Sequence, residues 1–222
     1  FYLGAKSVCP TVTMDVTFTG SWYDETAEKN AANALIKGGC KLISQHADSM
    51  GAPNACEEAG VPNVSYNGST FEACPKTFIV SSRINWAPYY KYLAEQIVNA
   101  KGDVKKANVA KDWTGTIATG SVELTAFGTA ATAGTAEKVA EIKAKLMNGT
   151  LNVFDTATFT VKGAKLETYM ANVNFEDDGT GNDNLKADTQ VVENGVFFES
   201  KHRSAPYFDV EIDGIKLLDR KY

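Results

Sequence analysis

Histidine is scarce: only His46 and His202 occur in 222 residues, which leaves little material for imidazole metal sites or acid–base relays. Long apolar runs are missing too. No stretch approaches eighteen consecutive apolar residues, so no membrane-spanning helix is encoded. Basic clusters are absent, with 22 Lys and Arg against 27 Asp and Glu and a net charge of -5, which argues against a nucleic-acid partner. No GxSxG, P-loop, HExxH or dinucleotide fingerprint is present, and the Gly-rich run 128–134 lacks phosphate-loop spacing, so an enzyme reading finds no support. The four cysteines (Cys9, Cys40, Cys56 and Cys74) include no CxxC pair and have no histidine at ligand spacing. They suit disulfides of an exported protein or four buried thiols equally. The start, Phe1-Tyr2-Leu3-Gly4-Ala5-Lys6, has no Met, basic region or signal-type apolar core, and reads as the middle of something longer.

What is there is ordinary for a folded chain: 44% apolar, 10% aromatic and 22% charged residues. That length holds one large domain or two small ones. Over the first ninety residues, strand-like and helix-like patterns alternate every twenty to twenty-five residues, the signature of βαβ units and a parallel sheet. Strands are predicted at 12–19, 41–45, 61–66 and 77–81. Asp24 caps a helix with Ala27, Ala31, Ala34 and Leu35 on one face, ended by Gly38-Gly39. Asp48 or Ser49 caps a second, whose stripe is Ala52, Ala55, Cys56 and Ala59, with Pro53 in its first turn and Gly60 at its end. A third follows Pro88 with Tyr90, Leu93, Ala94, Ile97 and Val98 inward, and Thr135 caps a fourth with Val139, Ile142 and Leu146. A β-like stretch covers 114–127, and a short strand is expected at 151–154.

From about residue 158 the texture changes to β-segments at 158–161, 167–175, 190–198 and 208–212 with turn-rich spacers. The chain is therefore divided into an α/β region, 1–157, and a β-rich C-terminal extension, 158–222. The spacer Asp177 to Asn184 is acidic but lacks EF-hand alternation and a closing Glu, so it reads as a turn and no metal is expected.

In open parallel sheets, ligands bind beyond the carboxyl ends of the strands. Those loops carry Trp22, His46, Asp48, Asn67, Arg83 and Trp86. Indoles offer stacking surface, while amide, carboxylate and imidazole groups read the edges of a flat heterocycle or the hydroxyls of a sugar. Each has a plainer reading. Asp24 and Asp48 serve as helix caps, Asn67-Gly68 as a turn, Arg83 as a surface cation, Trp86 as packing at a lobe junction, and His46 as a hydrogen-bonded structural histidine.

Three segments then carry a resemblance: Gly20-Ser21-Trp22-Tyr23-Asp24-Glu25-Thr26-Ala27-Glu28-Lys29-Asn30-Ala31-Ala32, Gln45-His46-Ala47-Asp48-Ser49 and Asn85-Trp86-Ala87-Pro88-Tyr89-Tyr90. In this order and spacing they resemble the basic membrane protein family of substrate-binding lipoproteins, the purine nucleoside receptor-like components of ABC transporters. Residues 1–8 and 113–127 resemble further segments of that family, and the likeness covers about 1–155. It implies a type I periplasmic-binding-protein-like fold, a parallel sheet flanked by helices, clamping a nucleoside or nucleobase between two lobes without catalysis or cofactor. It implies that most of the first lobe, the signal peptide and a lipid-anchored Cys lie outside this chain. It also implies an ABC permease as partner and an extracytoplasmic, membrane-anchored location. Trp22 resembles the aromatic that stacks on the base. Asn67 falls where nucleoside binders carry a ribose-binding Asp, and the family's Lys near the fourth strand falls at about Ile84, beside Arg83. These departures widen the ligand to a free base or another flat heterocycle, a flavin for instance. A ligand-sensing receptor module and a nucleoside-modifying enzyme are the competing classes. Cys9 with Cys40, and Cys56 with Cys74, would be the pairs if the thiols were oxidised.

Overall fold

The computed structural model describes residues 1–173, 189–202, 208 and 210–219. Along the chain come α1 (Tyr2–Val8), β1 (Met14–Val16), α2 (Glu25–Lys37), β2 (Ile43–Ser44) and α3 (Gly51–Ala59). Next are β3 (Asn63–Tyr66), β4 (Phe78–Ile84), α4 (Ala87–Asn99), β5 (Val122–Leu124) and α5 (Thr135–Met147). Short strands follow: β6 (Met170–Ala171), β7 (Thr189–Gln190), β8 (Val192–Glu193), β9 (Val196–Phe197) and β10 (Ile215–Leu217). The chain forms two compact units. Unit one holds Phe1–Met14, Tyr89–Gly115 and Gly149–Ile215; unit two holds Asp15–Pro88, Thr116–Asn148 and Lys216–Tyr222.

Unit two contains a four-stranded sheet in the order β2-β3-β4-β5. Its first three strands are parallel, with Ser44 opposite Val64 and Tyr66 opposite Ser82. β5 runs antiparallel to β4, pairing Arg83 with Glu123. The βαβ alternation expected from the sequence is present in β2-α3-β3. Asp24 caps α2 by accepting the Ala27 N–H at 2.9 Å. Gly60 ends α3 in the left-handed region at φ 66°, where a side chain would be strained. Small residues let α2 and α3 approach closely through Ala32, Ala52 and Ala55.

Several elements differ from expectation. The inward face of α2 carries Glu28 and Ala32 rather than Ala31 and Ala34, because a neighbouring loop hydrogen-bonds the Glu28 carboxylate and so admits it to the interior. α3 begins at Gly51, and Asp48 does not cap it; the Ser49 hydroxyl accepts the Gly51 N–H at 3.1 Å. Ala59 is exposed. On α4, Tyr90 and Val98 face solvent, while Tyr92 lies against Trp113 with ring centroids 4.8 Å apart. Gly134, not Thr135, stands at the N-cap of α5.

The first predicted strand is short and lies outside the four-stranded sheet. β1 pairs with β10, and Thr17 and Phe18 are tied to the Asp219 carboxylate at 2.8 and 3.1 Å. A partner some two hundred residues away leaves no local sequence signal. α1 was not expected; its anchor is Tyr2, which is buried. Residues 151–154 form no strand, since Phe154 accepts a single bond from the Phe197 N–H and places its ring against Phe197.

In unit one, β8 and β9 form a hairpin over Asn194-Gly195, both at positive φ (51° and 78°), as a two-residue turn of primed type requires. β6 pairs with β7. Ala171, Val191, Val192 and Phe197 make a small core, with Phe154, Tyr169 and Phe208 around it and the Phe197 and Phe208 rings edge-on at 4.8 Å. The segments 158–161 and 208–212 show no named strand among the described residues; Val161 and Ala164 form one isolated bridge. The acidic spacer 177–184 lies outside the described residues.

All four cysteines are free thiols. Of the two alternatives left open by the sequence, the free thiols are present and neither pairing is formed; the Cys74 thiol donates to the Thr70 carbonyl at 3.1 Å. Burial, reinforced by nearby Cys74, pushes the Cys56 thiol up to about 12. Thiol reagents are therefore expected to label exposed Cys9 in the native protein and Cys56 and Cys74 only on unfolding. Prompt native labelling of Cys56, or an intact mass short by two hydrogens before reduction, would contradict this.

Candidate functional site

The carboxyl ends of β2 and β3 bring three rings into a row in unit two. β2 runs into Gln45 and His46, and β3 ends at Tyr66. Side chains alternate along β3, so buried Ser65 and half-buried Tyr66 point to opposite faces. The His46 ring lies nearly flat on Tyr66, with centroids 4.1 Å apart and planes at 20°. Trp22, from the loop before α2, stands 6.3 Å from His46 at 47°. Trp22 is 72% exposed, so its indole is an open surface rather than packing. The arrangement is a short aromatic shelf with Trp22 exposed at its outer end.

Polar contacts fix the loops that carry these rings. The Asp48 N–H donates to the Trp22 carbonyl at 2.9 Å. Glu28, 3% exposed, accepts the Asp24 N–H at 3.0 Å, the Ser49 N–H at 3.2 Å and the Ser49 hydroxyl at 2.6 Å. Gln45 donates to the Ser49 carbonyl at 3.3 Å. Asp48 itself is exposed, with its carboxylate next in sequence to the shelf loop.

Trp22, His46 and Asp48 thus meet as a group. Asn67 follows Tyr66 directly and sits at φ 66°; its N–H donates to the Ser82 carbonyl at 2.6 Å and Gly68 closes a turn onto the Tyr66 carbonyl at 2.9 Å. Asn tolerates this conformation and Gly fits it better, so the turn alone accounts for the residue. The two roles separate by substitution. Asn67→Gly is expected to keep the unfolding midpoint but lower ligand affinity, whereas Asn67→Ala also destabilises by about 1 kcal/mol. Unchanged affinity in Asn67→Gly would leave only the turn.

Arg83 is ion-paired, its Nε 2.9 Å from Glu123 on β5, and both side chains are partly exposed. Trp86 is 55% exposed just before α4, where the Asn85 carbonyl oxygen of its side chain accepts the Ala87 N–H at 3.1 Å. Two residues of the site escaped the sequence reading. Tyr66 stands at a strand's carboxyl end, and the strand-end rule selects it once the strand's limit is known. Glu28 carries no such signal, because a Glu on a helix is ordinarily solvated. A separate hollow of about 140 Å³ lies in unit one, lined by Thr156, Lys165, Glu167 and Asn194 among others, with no aromatic ring in its lining.

Comparison with known proteins follows the same residues. Positions 1–156 match the Bmp family, described as ABC transporter substrate-binding protein PnrA-like. The chain belongs to the Bmp family. That family consists of substrate-binding proteins, not enzymes. Relatives include a purine-binding protein of Brucella abortus, 30% identical over 154 residues, covering 69% of this chain and 42% of the relative. A putative ABC transporter glucose-binding protein of Haloferax volcanii is 29% identical over 157 residues, covering 71% of this chain and 39% of the relative. This Bmp chain therefore spans about two fifths of the length of these curated relatives. A solved ABC transporter solute-binding protein of Conexibacter woesei is similar in fold, with TM-score 0.52 and 22% identity over 68% of this chain and 49% of that one. The α/β reading of the residues, and the periplasmic-binding-protein-like fold implied by the resemblance, agree with it.

Proposed function

We propose that this Bmp chain contributes one wall of the ligand site of an extracytoplasmic solute-binding protein serving an ABC importer. The solute is a flat heterocycle of purine type, as a free base or a nucleoside. The observation that carries this reading is the aromatic shelf, an indole 72% exposed beside a stacked imidazole and phenol. Stacking of a base on an aromatic side chain supplies about 1–3 kcal/mol. Asp48, Asn67 and Arg83 are the polar groups proposed to read its edge, with Trp86 as a second aromatic contact. The named binding partners of the relatives, a purine in one and glucose in another, bracket the choice. Three rings in a row favour a π-system over a sugar, whose hydroxyls need a dense ring of hydrogen-bonding partners.

The family match ends at 156, which supports a functional division near 157, with the extension serving some other purpose. Delivery to a permease follows the family description, and a lipid anchor at the membrane, which the resemblance implies, completes the proposal. A receptor module is the second reading, favoured by a Dictyostelium discoideum metabotropic glutamate receptor-like protein 32% identical over 100 residues. Isothermal titration of the purified protein with adenine, adenosine, guanosine, riboflavin and glucose tests the ligand class. Binding of a heterocycle, recovered intact after long incubation, is expected. Binding of glucose alone would overturn it.

A further inference from the structure

Glu28 is the one acidic side chain among the buried residues described, and its partners lie on the loops that carry the shelf rings. One oxygen accepts the Asp24 N–H at the start of α2, two residues after Trp22. The other accepts both the N–H and the hydroxyl of Ser49, three residues after His46. A single carboxylate therefore joins the loop carrying Trp22 to the loop carrying His46. The two loops touch again at the Asp48 N–H and the Trp22 carbonyl. Ser49 is committed on every side, its hydroxyl also accepting the Gly51 N–H at 3.1 Å and its carbonyl the Gln45 amide at 3.3 Å.

We infer that Glu28 is a positioning residue, which holds the Trp22 indole at its spacing from the His46–Tyr66 stack. All three groups facing Glu28 are donors, and only a carboxylate is acceptor on both oxygens. An amide in its place brings an N–H toward one of those donors and leaves that backbone N–H without a partner inside the protein. Once the Ser49 or Asp24 anchor is lost, the loop it held is free to shift, and the ring on it shifts too. A stacking surface needs its parts held to a fraction of an ångström, so a small displacement costs affinity. The effect on affinity rests on the ligand reading above; the effect on ring geometry does not.

Two histidines in the chain make the test direct, because the histidine ring signals of the proton NMR spectrum come from His46 and His202 alone. His46 sits in the ring currents of Tyr66 and Trp22, whereas His202 lies beside Glu193 in unit one. Glu28→Gln and, as a milder variant, Ser49→Ala are compared with wild type well below their unfolding midpoints. Both are expected to move the His46 signals and leave those of His202 in place, and to weaken adenine or adenosine binding by about tenfold for Glu28→Gln. Glu28→Asp, one methylene shorter, is expected to recover part of the wild-type shift. If Glu28→Gln does not fold, Ser49→Ala decides. Unmoved His46 signals in a folded variant with only a lowered midpoint would reduce Glu28 to a stabilising residue and overturn the inference. Wild type that binds no heterocycle while the His46 signals still move would sink the ligand reading and leave the positioning role standing.

Discussion

Trp22→Ala is expected to weaken binding of a purine-type ligand by about 10- to 100-fold while the unfolding midpoint stays within a degree or two. The two halves of this outcome have separate causes. The indole is 72% exposed, so removing it takes little apolar surface out of a core and leaves no cavity. Its backbone carbonyl still accepts the Asp48 N–H, so the loop keeps its fastening. What disappears is the outer stacking plane of the shelf, and a stacked base draws about 1–3 kcal/mol from such a plane. Trp22→Phe keeps a smaller ring in place and is expected to lose only a few-fold. Calorimetric titration and thermal unfolding of the same samples give both numbers. An affinity equal to wild type would remove Trp22 from the site, and a large fall in midpoint would mean the indole packs more than its exposure indicates.

Gly51→Ala should produce the largest loss of stability among single changes near the site, about 3 kcal/mol, or a midpoint lowered by about 10 °C. The first turn of α3 lies against the first turn of α2 at this glycine. A Cβ there would collide with the Glu25 carbonyl oxygen and stand 2.9 Å from the Lys29 backbone nitrogen. Both obstacles are backbone atoms of a formed helix, so no side-chain rotation relieves them. The helices must separate, which loosens the packing of Ala32 on Ala52 and Ala55 and the bonds that Ser49 makes to Glu28 and Gly51. Gly60→Ala is a useful contrast. It meets open space, and its penalty is that of a positive φ of 66° alone, about 1 kcal/mol. Equal effects of the two changes would contradict the close approach at Gly51.

The two sites of strain also explain what could be read in advance. Gly60 ends a periodic helix and announces itself locally, as does Asp24 at the start of α2. The small stripe Ala52, Ala55 and Cys56 was legible because hydrophobic period and burial agree on α3. On α2 they disagree. The alanine pattern favoured Ala31 and Ala34, but a buried carboxylate turned the helix toward Glu28 and Ala32, and that depends on Ser49, twenty-one residues away. Gly51 gives no warning in the sequence, since its constraint comes from another helix. β1 is the extreme case, paired with a strand near residue 215 that no window of sequence can connect to it. At the site, the strand-end rule pointed to the loop after β2 that carries His46 and Asp48, whereas Trp22 follows a strand that lies outside the four-stranded sheet, so its place beside His46 has another cause. Tyr66 lies one residue short of the loop that the rule selects, because it is the last residue of β3 and belongs to both sheet and rim.

The central claim is that a flat heterocycle lies on this shelf, and a structure determined with adenine or adenosine bound tests it most directly. The base is predicted to lie parallel to the Trp22 indole in van der Waals contact, with Asp48 or Asn67 at its edge. A purine bound elsewhere, with the Trp22 face bare, would contradict the account.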